Sequence, residues 1–234
     1  MSAIKLYGVV ISPPVAFIMT VFDYTGIEYE IVPTHPFFDT KSEEYKKINP
    51  KGRIPAIQDG DYLLDESIAI ARYIATIADK KDFYPYDDPK KLGKINSQID
   101  TEVMVFRKNC TGYAAEVFFG PWLRDAPMPS EERVAELQKK LDDAFLYIKD
   151  QVTLSGGPFI NGEEPTLPDF TAFFCIIPEI VYTGGKYDTH EEVGEWYNRV
   201  KEIPAVAKVL GEIDDKKQAF FDETKETMSK KKSE

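Results

Sequence analysis

Apolar and polar positions alternate along Ile4-Lys5-Leu6-Tyr7-Gly8-Val9-Val10, and a period of two predicts a strand. Pro13-Pro14 open an apolar run to Thr25 that predicts a helix closed by Gly26, and Ile27 to Val32 alternates as a second strand. This is a strand-helix-strand unit. Ser42 precedes Glu43 to Ile48, a short helix with a favoured cap residue. Ile54 to Ile57 and Tyr62 to Leu64 flank Asp59-Gly60-Asp61, the signature of a tight hairpin. Glu66 to Ala78 then reads as a helix with Ile68, Ala71, Ala75 and Ala78 along one side.

Residues 79–89 are rich in charge and proline, the composition of a linker between packed units. Beyond it the pattern is helical throughout. Leu92, Ile95, Ile99, Val103 and Phe106 recur at spacings of three and four in a helix from Lys90 to Phe119. Ser130 caps a second, from Glu131 to Gln151, with acids in its first turn. Gly156-Gly157-Pro158 forces a loop, and Thr166-Leu167-Pro168-Asp169 opens the most apolar helix, Phe170 to Val181. The expected layout is an α/β domain over 1–80, ordered β-α-β-α-β-β-α, a linker over 81–89, an all-α domain over 90–220, and a flexible tail over 221–234.

Composition narrows the function classes. The chain has 234 residues, 43% of them apolar, enough for two modest cores. Forty acidic against 29 basic residues leave a net charge of −11, which argues against nucleic acid as a partner. No run of 18 apolar residues and no secretory leader pattern is visible, so neither a membrane span nor export is expected, and the cytoplasm is the expected location. Cys110 and Cys175 are far apart within apolar stretches, and His35 and His190 are isolated, so neither a disulfide framework nor a bound metal is expected.

Candidate chemistry falls at three element edges: Ser12, the segment Asn49 to Ala56, and Asp65-Glu66-Ser67. Each could be a cap or a turn and no more. Together, three polar edges could converge on one small anionic ligand.

This order of elements, with Ile54-Pro55 entering the hairpin, resembles the cytosolic glutathione transferases over residues 4 to 215. Ile4-Lys5-Leu6-Tyr7-Gly8 followed by Ser12-x-Pro14 is most similar to the serine-type members, the phi, theta and delta classes. The resemblance implies a thioredoxin-like N-terminal domain and an all-helical second domain. It also implies a homodimer that binds glutathione as co-substrate, requires no cofactor or metal, and takes small hydrophobic electrophiles or ligands, with peroxide reduction as a side activity. A non-catalytic ligandin-like or regulatory relative is the alternative.

In that family the serine donates a hydrogen bond to the glutathione sulfur, and Ser12 takes that catalytic place. Ile54 and Pro55, the proline cis, face the cysteinyl amide; Ser67 suits the γ-glutamyl carboxylate and Glu66 its ammonium; Lys41 and Arg53 match positions that contact the glycine end. Asn49 and Lys51 are read as shaping the loop into Arg53. Phe106, Tyr113, Phe118, Phe119 and Trp122 are candidates for the electrophile site. Thr166 and Asp169 match the capping motif of the second domain's core helix. The chain departs from many serine-type relatives in having Ala16 where they have arginine, and Pro13-Pro14 removes two N–H donors from the first turn.

Overall fold

The computed structural model describes residues 3–183 and 190–232. Two compact units emerge: Met1–Pro89 with Ile203–Lys216, and Lys90–Glu202 with Lys217–Glu234.

In the first unit, β1 (Ile4–Gly8), α1 (Pro13–Thr25) and β2 (Tyr29–Pro33) form the expected strand-helix-strand unit. A short 3-10 turn (Asp39–Lys41) and α2 (Glu43–Lys46) lead to the hairpin β3 (Ala56–Asp59) and β4 (Tyr62–Asp65), and α3 (Ser67–Ile77) follows. The sheet order is β2-β1-β3-β4, with β1 and β2 parallel and the other pairs antiparallel. Ile4, Leu6 and Ile57 fill the buried positions of the strands; α1 and α3 pack on one another, and their Phe17, Ile18, Ile70 and Ile74 are buried. β1 stops at Gly8, before the Val10 that its alternation suggests. A Cβ at Gly8 would lie 2.5 Å from Val15 Cγ2, so only glycine lets the strand end this close to α1.

The stretch read as a linker is anchored: Phe83 and Tyr84 are buried, and Phe83 packs on Tyr24 with ring centroids 4.8 Å apart. Charge and proline dominated the pattern there, and two apolar rings decide the packing.

The second unit begins with α4 (Pro89–Thr101), continues through π-helical Glu102–Arg107, α5 (Lys108–Ala114) and π-helical Ala115–Phe119, and ends in α6 (Gly120–Arg124). The helix read as ending at Phe119 thus runs on past Trp122. Then come α7 (Glu131–Ser155), α8 (Leu167–Thr183), α9 (Glu191–Glu202) and α10 (Pro204–Lys232). The core gathers Leu141, Phe145, Ile148, Phe170, Phe173 and Trp196.

Two further expectations change. The tail expected to be flexible from residue 221 is helical to Lys232, supported by pairs at helical spacing, Lys216 on Glu212 and Lys230 on Glu226; Ser233 and Glu234 lie outside the described residues. Residues 203–216, counted with the helical domain from sequence, cluster with the first unit, where Lys208 pairs with Asp23 at 2.8 Å.

Candidate functional site

Strand register sets two of the three edges beside the end of β1. Tyr7 pairs with Ala56 and Ala56 with Asp65, so Gly8 lies beside Pro55, and Pro55 beside Glu66. The C-terminal end of β1 leads from this edge to Ser12.

Ser12 stands in extended conformation at the start of α1, half-buried, and its hydroxyl makes no cap hydrogen bond. The reason is local. Pro13 and Pro14 have no N–H to offer, and the Val15 N–H bonds the Ser12 carbonyl at 2.9 Å, as does that of Ala16. The helix therefore starts without using the serine hydroxyl, which remains at the positive end of its dipole.

The second edge is a loop built around one carbonyl. Tyr45 Oη and Asn49 Nδ2 both donate to the Arg53 carbonyl, at 2.7 and 2.8 Å, and Asn49 Oδ1 accepts from Lys51 N–H. Burial drives the Tyr45 hydroxyl far above the ordinary tyrosine range, so it stays a donor. Gly52 sits at φ +61, where a Cβ would lie 2.9 Å from the Thr40 carbonyl oxygen. That approach sets the exposed Lys41, which ends the 3-10 turn, alongside the Arg53 loop. The Ile54–Pro55 peptide is cis, with Pro55 buried and Arg53 exposed.

At the third edge Glu66 holds φ +68, an uncommon conformation for glutamate, and α3 begins one residue later than the sequence suggests. Ser67 is buried at the first position of α3. Sequence reasoning gave Lys51 only a loop-shaping part. Its ammonium lies 2.9 Å from Asp65 Oδ2 and 2.8 Å from Glu66 Oε1, and both bonds hold it above the usual lysine range. The signal available was a lysine in a turn, fifteen residues from an acidic pair.

The aromatic candidates divide. Phe106 is buried against Tyr147, rings 5.0 Å apart, and Tyr113 is also buried. Phe118, Phe119 and Trp122 are half-buried and meet Tyr182 and Phe221, which sequence reasoning missed. Within the cluster Phe118 stacks on Tyr182 at 5.3 Å and on Trp122 at 5.7 Å.

Two buried carboxylates complete the second unit. Asp169 heads α8 and accepts from Ile160 N–H and Trp196 Nε1 on one oxygen, and from Thr166 N–H and Oγ1 on the other. Glu102, in the first π-helical segment, is fully buried with neither oxygen hydrogen-bonded. Among the described residues no three His, Cys, Asp or Glu side chains are grouped to hold a metal ion, and no helix is long and apolar enough to cross a membrane.

Residues 2–76 match the model of the glutathione S-transferase N-terminal domain. The chain is 29% identical to glutathione S-transferase 3 of Zea mays over 91% of its own length and 96% of the relative's. It is 28% identical to a glutathione S-transferase of Hyoscyamus muticus over 88% and 97%. Among solved structures it resembles a glutathione S-transferase-I bound with lactoylglutathione, at a TM-score of 0.79 and 25% identity, covering 90% of this chain and all of that one. Residues 2–76 thus carry a glutathione S-transferase N-terminal domain, and over about nine-tenths of its length the chain, with its sheet and helical second unit, is similar to glutathione S-transferases.

Proposed function

We propose that this glutathione transferase joins the glutathione sulfur to hydrophobic electrophiles, with Ser12 as the donor that holds the sulfur as thiolate. A thiol of ordinary pKa, about 8.5, is mostly protonated at neutral pH, and the thiolate is the nucleophile. A hydroxyl donor at the positive end of α1 favours the anion; each unit of lowering is worth about 1.4 kcal/mol. The observation that carries this reading is the Ser12 hydroxyl, unspent as a cap at the start of α1, the helix that follows the end of β1.

The remaining roles follow from chemistry. The backbone of Ile54, beside Pro55, bonds the cysteinyl amide; Ser67 and the first N–H groups of α3 receive the γ-glutamyl carboxylate; Glu66 meets the ammonium; Lys41 and Arg53 pair with the glycine carboxylate. The N-terminal domain is the one that binds the tripeptide, and the helical domain contributes the electrophile side through Phe118, Phe119 and Trp122. We assign Phe106 and Tyr113 to packing, because both are buried. We also assign the protein to a homodimer in the cytoplasm, where thiols such as Cys110 and Cys175 stay reduced. Peroxide reduction by the same thiolate is a side reaction.

Conjugation of 1-chloro-2,4-dinitrobenzene by wild type and Ser12→Ala tests the reading. The variant is expected to lose about 100-fold in kcat, the scale for removing one donor to a reacting anion, while glutathione affinity stays within about threefold. A wild type that binds glutathione without turnover, over a panel of electrophiles and peroxides, would make the protein a carrier.

A further inference from the structure

The acidic pair at the head of α3 already holds a cation, and it belongs to the chain. Lys51 Nζ bridges Asp65 Oδ2 at 2.9 Å and Glu66 Oε1 at 2.8 Å. About half of the lysine side chain is exposed, whereas Asp65 is the more sheltered of its two partners. Glu66 is fixed by its position between β4 and α3, but Lys51 reaches it from another loop on a long, flexible stem.

We infer that Lys51 is a specificity-determining residue: it is an internal stand-in for the ammonium of the γ-glutamyl group, and it sets how much that ammonium contributes to binding. The inference rests on the assignment of Glu66 under Proposed function. A ligand ammonium arriving at Glu66 must either displace the lysine or sit beside it. Displacement exchanges one ion pair for another, and cohabitation brings two like charges together. Both routes reduce the net gain from the ammonium. Asp65 keeps a hold on Lys51 after the exchange, so the lysine has a second resting place and the swap strands no charge.

The test compares glutathione with its desamino analogue, glutaryl-cysteinyl-glycine, by calorimetry at low ionic strength. The readout is the ratio of their dissociation constants, which isolates the ammonium. In wild type the ratio is expected to be small. In Lys51→Met it is expected to rise about threefold, the scale of one exposed ion pair, and Lys51→Arg is expected to behave like wild type. Melting temperatures of the three proteins confirm that each is folded.

An unchanged or lower ratio in Lys51→Met, with glutathione binding intact, overturns this inference alone. A rise in Lys51→Arg equal to that in Lys51→Met does the same, because the charge would then be irrelevant. If none of the folded proteins binds glutathione, the reading of the site falls and this inference with it.

Discussion

The starts of α1 and α8 use the same vocabulary, a hydroxyl residue with prolines and a helix behind it, to opposite ends. At α8 both oxygens of the buried Asp169 are taken, by Ile160, Thr166 and Trp196. At α1 the Ser12 hydroxyl caps nothing, because Pro14 has no N–H and that of Val15 is turned to the Ser12 carbonyl. A saturated polar group holds the fold and has nothing left for a ligand. An unsaturated one at a half-exposed helix start does little for the fold and is available for chemistry.

The largest effect expected from this contrast is at Asp169→Ala. Losing the carboxylate strands two buried backbone N–H groups and the Trp196 indole, so stability should fall by about 3–5 kcal/mol, read from urea midpoints. Ser12→Ala reverses the balance: its stability should stay within about 0.5 kcal/mol of wild type while conjugation collapses. A loss of stability at Ser12 comparable to that at Asp169 would make the serine an ordinary structural residue.

Gly52→Ala probes the loop between these extremes. The φ of +61 and the Thr40 carbonyl oxygen, 2.9 Å from the new Cβ, set an expected cost of about 1–3 kcal/mol, with weaker glutathione binding in the same protein. Denaturant unfolding and calorimetry would separate the two losses.

Glu102 sharpens the comparison from the other side, as a buried carboxyl with no donor at all. Burial, aided by the charge of Asp169 and opposed by Arg107, raises its pKa well above the usual carboxylate range. The folded protein then binds this proton more tightly than the unfolded chain does. The associated stability is full below the unfolded value, about 4.3, and is lost as pH rises through the raised folded value. Glu102→Gln should therefore flatten the decline of stability as pH rises above the unfolded value of about 4.3, measured as urea midpoints against pH. A variant with the wild-type slope would show that the carboxyl is not held neutral.

Much of this was legible in the sequence because it is local. The alternation around Leu6, the Pro13 start, the Asp59-Gly60 turn and the cap at Ser130 are each set by neighbours a few residues away. What the sequence hid depends on distant partners. Nothing near Lys51 announces Asp65, and nothing near Glu102 announces its lack of a donor. The two π-helical segments carry ordinary helical periodicity, and α10 was masked by a lysine run that reads as solvent-loving whether or not it is helical. Among the site residues, the sequence alone proposed the three edges; register was needed to set Gly8, Pro55 and Glu66 side by side.

The division of α10 has a consequence for how the protein is made. Residues 203–216 belong to the same compact unit as residues 1–89, yet the whole of 90–202 is synthesised between them. On the ribosome the nascent sheet therefore waits for its last segment until most of the chain has emerged, and Asp23 meets Lys208 only then.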